Sequence, residues 1–203
     1  MIEGIHWLGH ASFRLDGEKF IYIDPYKITG GPAADIILVS HSHYDHCSPT
    51  AIERIFKSDT VTVTCAECAR KLKGDVRIIT PGQSISIGEI VVEGVAAYNT
   101  NKPFHPRAEG GLGFIITFGT RRIYYAGDTD LIPEMATVTA DVALLPVSGT
   151  YVMNANEAAE AAKRIKPAVA IPMHYGTIVG SRSDAVRFKQ FAGVPVEILE
   201  KGA

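Results

Sequence analysis

The chain has 203 residues, 46% of them apolar and 21% charged, with a formal net charge of −2. That length can bury a full hydrophobic core without disulfides, and the composition excludes a disordered chain. The near balance of charge excludes a broadly basic nucleic-acid binder, because neutralising phosphates needs clustered Lys and Arg.

In chain order, short runs rich in Ile, Val, Tyr and Phe and bounded by Gly, Pro, Asp and Asn predict strands over 13–15, 20–23, 36–39, 61–64, 77–80 and 84–87. Further runs predict strands over 90–98, 113–118, 123–125, 142–146, 169–172 and 194–199. Helical patterns are fewer, over 49–56, 65–73, 156–166 and 184–191, with Asn156 as the N-cap of the third and Pro167 as its stop. No linker or low-complexity segment divides the sequence. The expectation is one domain over residues 1–203, of α/β class, with packed sheets and helices outside them. Ile21-Tyr22-Ile23-Asp24 before Ala34-Asp35-Ile36 is echoed by Ile123-Tyr124-Tyr125 and Asp128 before Ala140-Asp141-Val142, as an internal duplication would leave.

No stretch approaches the ~18 apolar residues of a membrane span. The opening Met1-Ile2-Glu3-Gly4-Ile5-His6 has no basic segment followed by an apolar run, so a cytoplasmic protein without a signal peptide is expected. Three cysteines fit a reducing compartment. Cys65 and Cys68 form a CxxC, but no second pair exists for a zinc ribbon, and the pair is expected to be two small residues on a helix. Cys47 is expected to be a buried, inert thiol.

The chemistry concentrates in His41-Ser42-His43-Tyr44-Asp45-His46, which directly follows the apolar run 36–39. His41 and His43 are two apart and share a side in extended chain, and Asp45 and His46 follow as the chain turns. Imidazole nitrogen and carboxylate oxygen suit zinc, iron or manganese. The ligands outnumber what one tetrahedral ion with an open position needs, so two adjacent ions are favoured. His105, Asp128 and His174 recur after other predicted strands, as expected of a site at strand carboxyl ends.

With these residues in view, the sequence resembles the metallo-β-lactamase fold hydrolases. The carrying motifs are His41-Ser-His43-Tyr-Asp45-His46, Gly127-Asp128-Thr129 and His174-Tyr175-Gly176, joined by Leu8-Gly9-His10-Ala11-Ser12 and Ile23-Asp24-Pro25. Together they are similar to the small cytoplasmic branch that includes ascorbate-6-phosphate lactonase-like and N-acyl phosphatidylethanolamine phospholipase D-like proteins. The resemblance runs from Leu8 to about Gly176.

It implies a four-layer αββα sandwich with a binuclear metal site, zinc first, manganese or iron otherwise. His41 and His43 would bind the first ion with a third histidine. Asp45, His46 and His174 would bind the second, Asp128 would bridge both, and Asp24 would be an outer acceptor fixing a ligand histidine. Many relatives carry the third histidine where this chain has Asn99. Either the following loop returns His105 to that position, its prolines stiffening the path, or the first ion has fewer histidines; His105 is the favoured ligand. His10 would lie near the substrate opening. Lys102 and Arg107 flank His105 and either hold a phosphate or carboxylate or are solvated loop cations.

The implied activity is hydrolysis of an ester-type bond (phosphoester, lactone or thioester) in a small molecule, with water activated by the ion pair and Asp45 and Asp128 as catalytic carboxylates. No nucleic-acid partner and no integral membrane segment are expected, and a homo-oligomer stays open. An iron-dependent redox enzyme on the same fold and a non-catalytic metal-binding protein are the alternatives.

Overall fold

Parallel strands need crossover connections, whereas antiparallel neighbours can be joined by tight turns. The chain uses both, in two compact units. The structure, a computed structural model, describes residues 2–202.

The N-terminal unit covers Glu3–Ile79 and takes in the chain again from Leu199. Its sheet runs in sequence order: β1 (Ile5–Gly9), β2 (Ser12–Leu15), β3 (Ile21–Ile23), β4 (Ile36–Val39), β5 (Val61–Thr64) and β6 (Asp75–Ile78). The first three are antiparallel neighbours; from β3 onward the pairing is parallel. Every residue of β3 and β4 is buried, so these strands read as unbroken apolar runs rather than as an alternation. Two short helices, α1 (Pro49–Glu53) and α2 (Ala66–Ala69), lie in the connections leaving β4 and β5. Ser48 caps α1 by accepting the Ala51 N–H, and Pro49 occupies the first helical turn, where its missing N–H costs nothing.

The C-terminal unit covers Thr80–Ile198. It holds β7 (Ser84–Ile87), β8 (Ile90–Ala96), β9 (Leu112–Phe118) and β10 (Arg121–Tyr125), antiparallel in succession, then β11 (Val142–Pro146) and β12 (Val169–Met173), parallel to β10. Helix α3 (Ala155–Ile165) buries Ala155, Ala158, Ala159, Ala161, Ala162 and Ile165 on one stripe, and α4 (Arg182–Phe191) packs beside it.

The echo in sequence has a structural counterpart. In the N-terminal unit the Asp35 carboxylate accepts the Phe20 N–H, its own N–H donates to the Phe20 carbonyl, and its carbonyl accepts from Val61. In the C-terminal unit Asp141 does the same with Arg122 and Val169. Each aspartate thereby ties together the starts of three parallel strands.

Several expectations shift. β1 was not among the strands predicted from the apolar runs. The strand expected at 77–80 forms earlier, over Asp75–Ile78, and the one expected at 90–98 ends at Ala96. No strand forms at 194–199; a single bridge pairs Val196 with Ala170, because Pro195 has no N–H to extend a ladder. Helices α1 and α2 are shorter than the patterns at 49–56 and 65–73. The cap of α3 is Asn154, not Asn156: its side chain accepts from Asn156 and Glu157, while Glu157 reaches back to its N–H in a capping box.

Candidate metal centre

In the N-terminal unit the ligand candidates hang from the carboxyl ends of β3 and β4. Asp24 follows β3 with φ of 43°, an uncommon conformation for a side chain of this type, and is fully buried. Its Oδ1 accepts the Ser40 N–H (2.7 Å), and its Oδ2 accepts the Ser40 hydroxyl (2.5 Å) and His46 Nδ1–H (2.7 Å). Since the Ser40 proton is committed to a carboxylate, its Oγ is the acceptor for His41 Nδ1–H at 2.9 Å. One buried carboxylate therefore sets the tautomer of two histidines, directly for His46 and through Ser40 for His41, as carboxylates do around metal ligands.

The outward-facing atoms follow from this. Neutral His41 carries its lone pair on Nε2, 3.1 Å from His43 Nδ1. Neutral His46 carries its lone pair on Nε2, 3.6 Å from Asp45 Oδ2. The turn that brings them together is closed by the His46 and Cys47 N–H groups donating to the His43 carbonyl. His10, in the turn after β1 with φ of 53°, donates Nε2–H to Asp45 Oδ2 at 3.0 Å. Its side chain is 1% exposed, so it is a buried partner of Asp45 rather than a group presented at an opening.

In the C-terminal unit, three strand ends contribute. Asp128 follows β10 through Gly127, whose φ is 67° and where a Cβ would lie 2.5 Å from the Leu112 carbonyl oxygen; only glycine fits this turn. His174 directly follows β12 with φ of 59°, and its Nδ1 is 3.0 Å from Ser148 Oγ. His105 is delivered by a loop that closes on itself: Asn99 N–H donates to the His105 carbonyl (2.8 Å), and His105 N–H donates to Asn99 Oδ1 (3.1 Å). His105 Nδ1 faces two acceptors, Asn99 Oδ1 (3.1 Å) and the Tyr151 carbonyl (3.2 Å), so it is the protonated nitrogen. Its Nε2 lone pair then faces Asp128 Oδ2 at 3.5 Å, and His174 Nε2 lies 3.1 Å from the same oxygen.

Asn99 is thus the residue that orients His105. The return of the loop is closed by these hydrogen bonds. Asp130 accepts the Thr100 N–H (2.8 Å) and pairs with Lys102, and Phe104 packs edge-on against Tyr151. Lys102 is therefore a brace of the loop, and Arg107 pairs with Glu134 while lying 4.9 Å over the Tyr98 ring. Both cations have partners within the unit. Burial alone would raise the Asp130 pKa, but Lys102 and the Thr100 and Asn101 N–H groups outweigh it and hold the carboxyl below its ordinary value.

In each unit an imidazole lone pair faces a carboxylate oxygen, His46 Nε2 toward Asp45 Oδ2 at 3.6 Å and His105 Nε2 toward Asp128 Oδ2 at 3.5 Å. Like-polarity atoms at that separation favour a shared cation, and nitrogen and carboxylate donors suit a divalent transition metal. The donor sets fit a metal. Ser40, Ser148, Asp130 and the Tyr151 carbonyl were not foreseen.

A family model for the beta-lactamase superfamily domain matches residues 4–174. A UPF0173 metal-dependent hydrolase from Thermoplasma acidophilum is 40% identical over 206 residues, covering 93% of this chain and 90% of that protein. The chain belongs to the UPF0173 metal-dependent hydrolase family. A crystal structure from Parabacteroides distasonis, 36% identical, superposes with a TM-score of 0.88 over 98% of this chain and 93% of that one. Igni18, a metallo hydrolase from Ignicoccus hospitalis, is 23% identical, with a TM-score of 0.82 over 98% and 95% of the two chains, a likeness of fold. This UPF0173 member has the metallo-β-lactamase fold, and it is a metal-dependent hydrolase. Among the described residues no helix is long and apolar enough to cross a membrane.

Proposed function

We propose that this chain hydrolyses an ester-type bond (phosphoester, lactone or thioester) in a small cytoplasmic molecule, using two divalent ions, zinc first and manganese or iron otherwise. His41, His43 and His105 serve the first ion, Asp45, His46 and His174 the second, and Asp128 both. The observation that carries this reading is the fixed tautomers: Asp24 and Ser40 leave Nε2 as the ligating atom of His46 and His41, and Asn99 and Tyr151 leave Nε2 of His105. The motif order, with Gly9-His10-Ala11-Ser12 and Ile23-Asp24-Pro25 ahead of the histidine cluster, supports a place beside the ascorbate-6-phosphate lactonase-like and N-acyl phosphatidylethanolamine phospholipase D-like proteins.

When bound, the ions supply Lewis acidity, which activates water at neutral pH and polarises the substrate oxygen. The protein does the rest. Asp24 holds two imidazoles in their ligating tautomer without touching substrate. His10 donates to Asp45 Oδ2 and holds that carboxylate in place, where it can take the proton of the attacking water. Asp128, held at the Gly127 turn, presents one oxygen to two histidines.

The test is metal content of the native protein followed by a screen of phosphodiesters, phosphomonoesters, lactones and thioesters. Turnover that is lost in His43→Ala and Asp128→Ala supports the proposal. A coloured, oxygen-reactive iron protein without hydrolysis would overturn it in favour of redox chemistry, and bound metal without any turnover would leave a binding protein.

A further inference from the structure

All three cysteines of this chain lie in the N-terminal unit, are reduced, and are buried. None belongs to the ligand sets above. Cys65 caps α2 and Cys68 lies one turn on, with their sulfurs 3.5 Å apart. Cys47, directly after His46, acts on Cys68 as well, its sulfur raising the Cys68 pKa.

The environment separates the two members of the CxxC. The Cys68 thiol beside it, opposed by burial and helped by backbone N–H groups at the start of α2, brings Cys65 down to about 6. The neighbouring Cys47 and Cys65 sulfurs, together with burial, push Cys68 far up. Cys65 is thus the member of the pair that loses its proton more readily. Cys65 is also 5% exposed, while Cys68 is wholly covered.

We propose that Cys65 and Cys68 are an oxidative modification site, a dithiol that closes to an intramolecular disulfide on reaction with a low-molecular-weight disulfide. The Cys65 thiolate attacks one sulfur of the reagent, forming a mixed disulfide and expelling one reagent thiolate. The Cys68 sulfur then attacks Cys65 Sγ, the Cys65–Cys68 bond forms, and the second reagent thiolate leaves. The Cys68 proton ends on a departing thiolate. Two protein thiols lose two electrons and the reagent disulfide is reduced to two thiols. A sulfur separation of 3.5 Å needs an approach of about 1.5 Å to reach bonding distance, within the reach of side-chain rotation. Just past α2, Lys71 donates to the Ser42 carbonyl at 2.9 Å, so closure acts on the segment that braces the histidine motif. This inference does not depend on the substrate or metal count proposed above.

The test uses the full chain, incubated natively with oxidised glutathione, denatured in acid, alkylated and digested with trypsin. Peptide 58–70 contains both Cys65 and Cys68, and Cys47 falls in a different peptide. The expected result is a loss of about 2 Da in peptide 58–70, with Cys47 still alkylated. Cys68→Ser should stop at a glutathione adduct on Cys65, and Cys65→Ser should react at least tenfold more slowly. Two alkylatable thiols in peptide 58–70, a bond to the Cys47 peptide, or a Cys65→Ser chain that reacts as fast as the native one would each overturn the proposal. Should the variants fail to fold, the peptide map of the native chain decides alone.

Discussion

The two units orient their histidines by different means. In the N-terminal unit one buried carboxylate, Asp24, governs both His41 and His46 through hydrogen bonds of 2.5–2.9 Å. In the C-terminal unit neutral groups do the work one ring at a time: Asn99 and the Tyr151 carbonyl for His105, and Ser148 for His174. A charged acceptor makes its imidazole partners more basic and costs desolvation to bury, whereas a neutral amide fixes orientation at little electrostatic cost. The first arrangement concentrates risk in a single residue; the second distributes it.

The comparison is most sharply broken at Asp24. Asp24→Asn keeps one acceptor oxygen and puts a donor NH2 in place of the other, so the Ser40 N–H, the Ser40 hydroxyl and His46 Nδ1–H can no longer all be accepted. Metal affinity should fall about 100-fold, the upper end for an outer-shell partner, measured by competition with a chelator. Asn99→Ala disturbs only His105 and should cost closer to 10-fold in the same assay. Equal losses would show that the charge of the anchor does not matter.

A third prediction concerns the loop that returns His105. The Asp130 carboxyl is held below its ordinary value, so its contribution to stability is present above the unfolded carboxylate range near 4 and is lost as pH falls through the folded value. Lys102→Met removes the chief opposing charge and leaves burial, which raises the pKa. Acid unfolding followed by circular dichroism should therefore begin at a higher pH than in the native chain; an unchanged transition would mean that the loop is held without this pair. The smallest effect is expected away from the ligands. Asn154→Ala removes the capping box of α3 and should cost about 1 kcal/mol in denaturant unfolding without altering metal content.

What the sequence disclosed follows the same division. The six-residue histidine motif is contiguous, and its candidate ligands stand out because β4 ends where the apolar run ends and the chain must turn. Asp24 and Asp128 were legible as acids at strand ends. The orientation of His105 was not, because it is set by contacts between residues far apart in sequence: Asn99 with Tyr151, and Thr100 and Lys102 with Asp130. Prolines near His105 suggested a stiff loop, and the hydrogen bonds that close it lay outside that reading. The strand expected at 194–199 failed for a similar reason: its apolar pattern was right, but Pro195 limits it to one bridge. The parallel roles of Asp35 and Asp141 were legible as an echo, and their meaning emerged only with the hydrogen bonds that tie three strands.

The proposed function assigns two metal ions to this chain, with Asp128 a ligand of both. Metal stoichiometry of the purified native chain, His46→Ala and Asp128→Ala, each checked for native circular dichroism, tests it most directly. The account predicts about two ions per native chain, a loss of at least one ion in His46→Ala, and a loss from both positions in Asp128→Ala. Full retention of metal in Asp128→Ala, with His46→Ala alone emptied, would contradict it.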